Sequence, residues 1–389
     1  MLKRTNKRKR PALALRRSLP RRRLHARRKH AAFRGGGRAR TRRAVAPVRL
    51  LRAAAARHTA LTRAALEAGA AAARSHPYPA EAPPMPLKRW IHKQWNEWRA
   101  DRPISQHSWA QWAAAAEKFA ESFCRASEGQ LQVPDCAWLT TRRTVTAIVT
   151  AMNEAKAMVA VFAQLDRLPV DEILVVVNGS TDDTFEVARN RSDAVIVHYP
   201  EALGHDVGRA IGAKLAKGDI LLFLDGDFPI VAEQLVPFID AIERGGDVAL
   251  NDISPYLGAF AGRDAVTIVK EMLNRAIGRG ELRANSLTAV PHALSRKAVE
   301  TIGIPNLMVP PKAQAIAAWK GLSLVCPTSV DVITKNKVRD FNTGSQNPVA
   351  RLIVGDHLEA IAMMMRLNGN RLGEPDRIRN RSLFKGMKA

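Results

Sequence analysis

The sequence predicts an α/β fold, in which a mostly parallel central sheet carries helices on both faces. Two observations predict this class. From residue 143 onward, short apolar runs rich in Val, Ile and Leu alternate with segments of helical pattern, which is typical of strand–helix–strand units. Each of three such runs also ends in a polar cluster, and parallel sheets bind their ligands at the carboxyl ends of the strands.

The elements follow in order along the chain. Four strands are predicted, at Val145–Thr150, Glu172–Val177, Ala194–His198 and Ile220–Leu224. Three helices are predicted between them, at Lys156–Leu165, after Ser180 through Ala188, and at Gly208–Ala216. We place this domain at residues 141–345 and a C-terminal helix with a basic tail at 346–389.

The N-terminal part of the chain has a different composition. Residues 1–66 hold 23 Lys and Arg and no acid, whereas the rest of the chain holds 38 basic and 36 acidic residues. Self-repulsion and the scarcity of apolar residues predict disorder over residues 1–44, within a tail that extends to 76. Residues 45–74, rich in Ala and Arg, have helical potential.

The charge of the tail indicates a polyanionic partner. Non-specific binding to nucleic acid or to an anionic membrane surface through residues 1–66 is the favoured interpretation, because Arg-dense segments neutralise phosphates. A transit peptide and a solvated tail are the alternatives. With one aromatic residue, Phe33, in residues 1–44, sequence-specific recognition is not expected.

A proline-rich linker and a tryptophan-rich region follow the tail. Residues 77–86 contain five prolines and are typical of a linker. Residues 87–140 predict a small helical subdomain, with one helix around Trp90–Trp98 and a second that begins at Ser108. Gln111 completes a capping box at the start of the second helix. We expect the indoles to form a core rather than a binding surface.

Cysteine content and hydropathy suggest a compartment. Three cysteines without a C-x-x-C pair argue against a disulfide framework and suit a reducing environment. No apolar run is long enough to span a bilayer. We therefore expect a cytoplasmic protein, peripheral at most to a membrane or another polyanionic surface.

Asp225-Gly226-Asp227 is the strongest local motif. Two carboxylates one residue apart, directly after the apolar run Leu221–Leu224, can both face a ligand, and Gly226 permits close approach of its backbone. Hard oxygen ligands suit Mg²⁺ or Mn²⁺, with phosphate oxygens completing the shell. A divalent ion there would neutralise the charge of a diphosphate leaving group.

Two other strand ends carry polar clusters. The first strand is followed by Asn153-Glu154, and the second by Asn178-Gly179-Ser180-Thr181-Asp182-Asp183. Asn153 and Ser180 would also serve as helix caps. Capping does not explain why three successive strand ends are polar.

Together these motifs resemble the family 2 glycosyltransferases, which have the GT-A fold. The family pattern P-x-x-N-E, D-D-x-S-x-D and D-x-D appears here as Thr150-x-x-Asn153-Glu154, Val177-Asn178-Gly179-Ser180-Thr181-Asp182 and Asp225-Gly226-Asp227. Gly204-His205-Asp206-Val207-Gly208-Arg209 is similar to the segment that precedes the D-x-D strand in this family. The resemblance covers about residues 143–303.

The resemblance implies a function and a role for each matched residue. The protein would be an enzyme that moves a sugar from a UDP- or GDP-sugar to an acceptor hydroxyl. Asp225 and Asp227 would hold Mg²⁺ or Mn²⁺, and Arg209 would lie near the phosphates. The remaining residues assigned to donor binding are Asn153, Glu154, Asn178, Ser180, Asp183 and Gly204.

Two departures from the family pattern leave the mechanism open. Val177-Asn178 replaces the usual acidic pair, which puts base recognition in doubt. The stretch Val309–Gln314, where inverting members carry a catalytic acid, has none. An inverting enzyme would need a base from elsewhere, with Asp252, Asp331 and Asp356 as candidates.

A retaining enzyme is the alternative. The motifs also resemble glucosyl- and mannosyl-3-phosphoglycerate synthases, which are retaining GT-A enzymes that use a later His as a further metal ligand. His357 is the candidate here, and a purely structural role is its alternative. The pattern predicts Asp356-His357 as a polar insertion between the apolar run Leu352–Val354 and a helical stretch from Ile361 to Met365. His292 is expected to line the acceptor pocket or to pack internally.

Two rival functions remain. Nucleotidyl transfer shares this sheet architecture, but Ala151–Glu154 is not the Gly-rich basic loop that it needs. The second rival is a catalytically impaired GT-A-like scaffold that binds polyanions through its tail. The missing base and Asn178 keep that alternative open beside the leading hypothesis of an enzyme.

Overall fold

The computed structural model describes residues 48–81, 83–129, 131–191, 193–334, 347–372 and 374. The chain divides into two compact units, Met1–Leu51 and Arg52–Ala389, and the account below concerns the second. The predicted disorder of residues 1–44 lies outside the described residues, as do most of the C-terminal basic tail and the end of the 141–345 segment.

Seven strands and eleven α-helices are assigned in the described residues. The strands are β1 (Val145–Ala151), β2 (Glu172–Asn178), β3 (Ala194–Tyr199), β4 (Ile220–Asp225), β5 (Val248–Asn251), β6 (His292–Ser295) and β7 (Leu324–Thr328). The helices are α1 (Val48–Ser75), α2 (Leu87–Arg99), α3 (Trp109–Ala126), α4 (Ala155–Leu165), α5 (Thr184–Arg189), α6 (Val207–Leu215), α7 (Ala232–Glu243), α8 (Ala265–Ala276), α9 (Arg296–Ile302), α10 (Pro310–Trp319) and α11 (Pro348–Asn368).

The strands form a single sheet in the order β3-β2-β1-β4-β6-β5-β7. All pairings are parallel except those of β6, which runs antiparallel to both β4 and β5. The predicted α/β class with a mostly parallel central sheet is therefore confirmed. The chain leaves β1 toward β2 and β3 and later returns to β4 on the other side of β1, so the order of the strands reverses between β1 and β4. Such a reversal opens a crevice at the carboxyl ends of the strands.

Side-chain alternation along the strands builds a core on each face of the sheet. On β1, Ala147 and Val149 join a core with α4 and α7, whereas Ile148 joins the opposite core with α6, α9 and α10. The period-2 geometry of a strand that is buried on both faces produces this split. Gly212 on α6 lies so close to β1 that an added Cβ would stand 2.4 Å from Ile148 Cγ2.

The tryptophan-rich region forms the predicted helices. Ser108 and Gln111 make the expected capping box at the start of α3. Trp95 and Trp112 are fully buried in a core that includes residues of α1, α2 and α3, and Trp95 Nε1 donates to the carbonyl of Leu139 at 3.1 Å. The expectation that the indoles form a core is met by these residues. The boundaries 77–86 and 87–140 remain a proposal.

One local expectation about residues 352–365 needs correction. The sequence pattern placed Asp356 and His357 as a polar insertion between an apolar run and a helix, whereas both residues lie within the continuous helix α11. Helix α11 packs against α8 and α10. Among the described helices, none has the length and apolar character needed to cross a membrane.

Candidate active site

Strands β1 and β4 meet at the carboxyl edge of the sheet, where Thr150 lies opposite Asp225 in the parallel register. The Thr150 hydroxyl donates to Asp225 Oδ1 at 3.0 Å, and the Gly226 amide donates to the Thr150 carbonyl at 2.8 Å. A Cβ at Gly226 would stand 2.7 Å from Met158 Sδ. Glycine is therefore required for the close turn that exposes Asp225 and Asp227.

Arg209 lies buried behind Asp225. Its Nη1 donates to the Leu287 carbonyl at 3.0 Å and lies 3.1 Å from Asp206 Oδ1, while its Nη2 lies 3.6 Å from Asp225 Oδ1. Burial opposes the charged guanidinium, but the attraction of Asp206 and Asp225 outweighs it, so that the pKa of Arg209 is raised. Arg209 therefore stays charged and links the start of α6, through Asp206, to the end of β4, through Asp225.

Asp206 and Thr150 have structural roles that the motif comparison left unassigned. Asp206 is the N-cap residue of α6 in a left-handed conformation, with φ of 60°, and its nearly buried carboxylate pairs with Arg209. Thr150 stands where the family pattern has proline, and it supplies the hydroxyl on Asp225. In the sequence, only the position of both residues within the motifs could have indicated these roles.

The loops after β1 and β2 are joined by hydrogen bonds. The Asn153 amide donates to Ser180 Oγ at 3.1 Å, the Thr181 amide donates to Asn153 Oδ1 at 2.7 Å, and the Ala155 amide donates to Asp182 Oδ2 at 3.2 Å. Asn153 itself has a φ of 58°. Capping by Asn153 or Ser180 of the helix that follows each of them is not observed; both side chains bind the neighbouring loop instead.

The other residues assigned to donor binding differ in their surroundings. Asn178 accepts from the Leu203 amide at 2.8 Å and donates to the Gly204 carbonyl at 3.0 Å, so its amide holds the loop before α6. Glu154 is buried, at 4% exposure, whereas Asp183 is exposed at the start of α5. Asn178 and Gly204 are thus in contact with each other, at the edge of the same crevice.

His357 is fully buried on α11. Its Nδ1 donates to the Ile353 carbonyl at 2.6 Å, and its Nε2 has no hydrogen-bond partner. Burial is the main cause that lowers the pKa of His357 to about 4, opposed by the bond to Ile353 and assisted by the nearby Lys270. The ring is therefore neutral, with its Nε2 lone pair directed away from the bond to Ile353. This tautomer is the one that metal-binding histidines usually have.

The three candidate bases lie in different surroundings. Asp252 accepts from the Ser254 amide and from Asn285 Nδ2, both at 3.0 Å, and Asp331 accepts from backbone amides of its own turn. Burial, together with the charges of Asp206 and Glu359, raises the pKa of Asp356 to about 6. Asp356 is therefore the candidate whose charge interacts with that of Asp206.

His292 packs internally, which is one of the two roles expected for it from the sequence. Its ring stacks on Phe223 with centroids 5.0 Å apart, and Nδ1 bonds to the Ala289 carbonyl at 3.0 Å. Burial, followed by the charge of Arg209, lowers the pKa of His292 to about 3. The ring is neutral and part of the wall behind Arg209.

A divalent metal fits this site in part. Asp225 and Asp227 are partly exposed and offer the hard carboxylate oxygens that Mg²⁺ and Mn²⁺ prefer. Within the described ranges, however, no three His, Cys, Asp or Glu side chains are grouped so that they could hold a metal ion. The structure therefore does not bring His357 together with Asp225 and Asp227 as a ligand set, and a metal would need oxygens from a bound substrate.

Comparison with known families agrees with this geometry. Residues 146–299 match the model of glycosyl transferase family 2, a range that runs from β1 into α9 and includes Asp225, Asp227 and Arg209. The resemblance seen in the motifs is thus confirmed by a match to this family over that segment.

Two curated relatives come from Haloferax volcanii. Glycosyltransferase AglE is 40% identical over 91 residues, which is 21% of this chain and 30% of AglE. A dolichyl-phosphate hexose transferase is 33% identical over 106 residues, which is 27% of this chain and 46% of that protein. The chain spans less than half the length of these relatives.

Two solved structures are also similar. Glucosyl-3-phosphoglycerate synthase from Mycobacterium tuberculosis, in complex with Mn²⁺, UDP and phosphoglyceric acid, has a TM-score of 0.42 at 19% identity, over 61% of this chain and 81% of that chain. Mannosyl-3-phosphoglycerate synthase from Rubrobacter xylanophilus also has a TM-score of 0.42 at 19% identity, over 62% of this chain and 80% of that chain.

Proposed function

We propose that this protein is a metal-dependent glycosyltransferase that moves a sugar from a UDP- or GDP-sugar to an acceptor hydroxyl. One observation carries the proposal: Thr150 and Arg209 both lie against Asp225 at the point where the strand order reverses, within the segment that matches family 2. Ligands of open α/β sheets bind at this point.

In this proposal the nucleotide lies against the joined loops after β1 and β2. Asn153, Ser180 and Asp183 stand along these loops, and buried Glu154 lies beneath them. Asn178 and Gly204 form the adjacent rim. This assignment is supported by the position of all six residues at the carboxyl edge of the sheet.

Asp225 and Asp227 would hold Mg²⁺ or Mn²⁺ with the donor diphosphate. The ion would act as a Lewis acid toward the leaving diphosphate. Arg209 assists by fixing the orientation of Asp225, since it is buried, charged and 3.6 Å from Asp225 Oδ1. His357, the third ligand that the resemblance implied, is not grouped with these carboxylates among the described residues, so the proposed metal ligands are Asp225, Asp227 and the phosphate oxygens of the donor.

The proton of the acceptor hydroxyl has two possible destinations. In an inverting reaction it would go to Asp356, whose raised pKa makes it a stronger base than an ordinary aspartate at neutral pH. In a retaining reaction it would go to the leaving phosphate. The anomeric configuration of the product, read by proton NMR, distinguishes the two.

Donor hydrolysis tests the proposal. The full-length protein is incubated with UDP- and GDP-sugars and Mn²⁺, and the released nucleotide is measured. Asp227→Asn should lower the rate by about a hundredfold or more. Asp219→Asn, which changes an acid at the other end of β4, serves as the matched control and should keep the rate. Absence of metal-dependent nucleotide binding in calorimetry would instead favour the impaired scaffold.

The position of His357 has its own test. Because His357 is not grouped with Asp225 and Asp227 in the described residues, His357→Ala should leave both the Mn²⁺ titration in the presence of UDP and the circular dichroism spectrum unchanged. Weaker Mn²⁺ binding would instead assign His357 to the metal site.

We also propose that residues 1–66 attach the protein to polyanions. The 23 basic residues without an acid support this. Deletion of residues 1–44 should abolish salt-sensitive binding to heparin or to anionic vesicles and leave donor hydrolysis intact. Salt-insensitive binding would exclude the electrostatic explanation.

A further inference from the structure

A cleft opens at the end of the sheet where β1 and β2 begin. One of its walls is α2, and the other consists of residues 141–144, which precede β1, together with Pro169. We call it the α2 cleft. Its volume is about 360 Å³, which lies within the range of small-molecule sites in proteins. The α2 cleft is therefore large enough to hold a small ligand.

The α2 cleft is separate from the crevice that contains Asp225. Thr144 lines the cleft, whereas Thr150, six residues further along the chain, donates a hydrogen bond to Asp225. An extended strand rises about 3.3 Å per residue, so the two threonines are about 20 Å apart. A small ligand in the α2 cleft would therefore not contact Asp225.

Cations outnumber acids in the α2 cleft. The charged side chains that line it are Arg89, Lys93, Glu97, Arg142, Arg143 and Asp171. Asp171 is already engaged, because its Oδ1 lies 3.1 Å from Arg89 Nη2 and its Oδ2 accepts from the Val145 amide at 2.8 Å. Arg143 is engaged as well, with its Nε 3.6 Å from Glu243 Oε2. The cleft thus carries a net positive charge that its own acids do not neutralise.

Lys93 and Arg142 line the cleft from opposite walls and lack a counterion. Among the residues that the structure describes, neither side chain takes part in a hydrogen bond or an ion pair. Glu97 stands one helical turn after Lys93, yet the two form no ion pair within the described chain. Both cations are exposed, so their ammonium and guanidinium donors are open to a ligand. An anion between them would be attracted by both.

The buried floor of the cleft is polar but neutral. Burial is the main cause that lowers the pKa of His92 to about 4; a hydrogen bond with the backbone of Leu139 opposes this effect, and the charges of Arg89 and Arg99 add to it. The neutral ring accepts from Asn96 Nδ2 through Nε2 at 2.8 Å. Asn96 is 6% exposed, and its Oδ1 has no hydrogen-bond partner in the described chain. Buried polar atoms normally have a partner, so the floor lacks one donor, which a ligand hydroxyl group can supply.

We propose that the α2 cleft binds a small phosphorylated molecule that also carries hydroxyl groups, which is the chemistry of a sugar phosphate. The phosphate bridges Lys93 and Arg142, because an ammonium and a guanidinium group both donate well to phosphate oxygens. A hydroxyl group of the same molecule supplies the donor that Asn96 lacks. The concave shape of the cleft favours a small molecule over a membrane surface. The inference does not rest on the proposed function, because the cleft lies outside the crevice.

Calorimetry on the full-length protein tests the inference with inorganic phosphate and glycerol 3-phosphate as probes. Moderate salt limits binding of both probes to the basic tail, and any remaining tail binding is common to all variants. The variants are Lys93→Met and Arg142→Met. The matched control is Lys118→Met, which removes an exposed lysine paired with Glu121 on α3.

Lys93→Met and Arg142→Met should each weaken binding of both probes by about tenfold, because a charge-assisted hydrogen bond is lost. Lys118→Met should bind both probes like the wild-type protein. Unchanged binding by Lys93→Met and Arg142→Met overturns the inference, and so does an equal loss in Lys118→Met, which would indicate non-specific attraction. Glycerol 3-phosphate should bind more tightly than phosphate, and equal affinities would overturn the hydroxyl contact with Asn96.

Hydrogen exchange gives a second readout that locates the probe. Glycerol 3-phosphate should slow amide exchange in α2 and in residues 139–146, while exchange around Asp225 stays unchanged. Protection around Asp225 alone would place the probe in the crevice and overturn the inference. Donor hydrolysis by Lys93→Met and Arg142→Met, measured without phosphate, should equal that of the wild-type protein. A wild-type protein without donor hydrolysis would contradict the proposed function but would leave the calorimetric test of the cleft valid.

Discussion

Polar side chains at the two ends of the strands, called here the amino edge and the carboxyl edge of the sheet, are used in opposite ways. At the amino edge, where β1, β2 and β4 begin, acids close the backbone. Asp171 Oδ2 accepts from the Val145 amide at 2.8 Å, and Asp219 Oδ2 accepts from the Thr144 amide and hydroxyl at 3.0 and 2.8 Å. These acids join neighbouring strands, so their role is structural.

At the carboxyl edge, where the same strands end, partners are incomplete. Asp225 has as partners only the Thr150 hydroxyl, at 3.0 Å, and the Arg209 guanidinium, at 3.6 Å, among the bonds and ion pairs of the described residues. Buried polar groups in folded proteins are normally hydrogen-bonded. The difference teaches that a strand-end acid is informative about function only when its local hydrogen bonds do not already explain it.

Arg209 offers the most severe test of this contrast, because it contributes to both stability and function. Arg209→Met should lower the free energy of unfolding by about 3–5 kcal/mol, since it leaves the nearly buried Asp206 carboxylate with only the more distant His205, at 3.7 Å, as an ion-pair partner. Donor hydrolysis should be lost as well. Urea unfolding at pH 7 measures the first effect, with Arg209→Lys as the charge-preserving control. Wild-type stability would show that Asp206 has another partner.

The pH dependence of stability should report on the buried histidine behind Arg209. His292 has an ordinary pKa of 6.5 in the unfolded chain and one of about 3 in the folded protein. The stability that the neutral, buried ring contributes is therefore fully present above pH 6.5 and is lost as the pH falls toward 3. Near pH 4 the free energy of unfolding should have fallen by about 3 kcal/mol from this cause.

His292→Asn keeps a donor for the Ala289 carbonyl but cannot titrate in this range. Urea unfolding of this variant between pH 7 and 4 should therefore show a shallower loss of stability than that of the wild-type protein. Identical slopes would mean that the ring is protonated in the folded state.

The amino edge should respond in stability alone. Asp219→Ala removes the acceptor of the Thr144 amide and hydroxyl and should cost about 1–2 kcal/mol, because water replaces part of the lost bonding at this exposed position. Donor hydrolysis per folded molecule should stay constant. A tenfold fall in the rate of donor hydrolysis would contradict the purely structural role of the amino edge.

The smallest expected effect belongs to the rim of the crevice. Asn178→Asp keeps the acceptor for the Leu203 amide and replaces the donor to the Gly204 carbonyl with a repelling oxygen. We expect a loss of about 1 kcal/mol in stability and a several-fold higher KM for the donor. Asn306→Asp, at a distant turn, is the control. A lower KM would instead indicate that the acid restores base recognition.

The sequence predicted the strands well because each is buried on both faces and therefore reads as a continuous apolar run, as in Ile220–Leu224. The family match followed from motifs at fixed strand ends. The strands β5, β6 and β7 were not predicted, because they are short and their segments, such as His292–Ser295, lack a distinct pattern.

The site was predictable only where local spacing determines proximity. Asp225 and Asp227 are neighbours in the chain, whereas the contact of Thr150 with Asp225 depends on the pairing of β1 with β4, which no local sequence pattern encodes. The polar pair Asp356-His357 suggested a break in the helix, but α11 continues because its buried face needs only His357, Ala360, Ile361 and Met364. Tertiary packing outweighed the local signal there.

The hydrogen bonds between the loops after β1 and β2 bear on how a nucleotide would be received. The Asn153 side chain and backbone, Ser180 Oγ and Asp182 Oδ2 already fix this wall of the crevice before any ligand arrives. Because this wall is already ordered, nucleotide binding would cost little conformational entropy there. Most of the free energy of each new contact would therefore contribute to affinity.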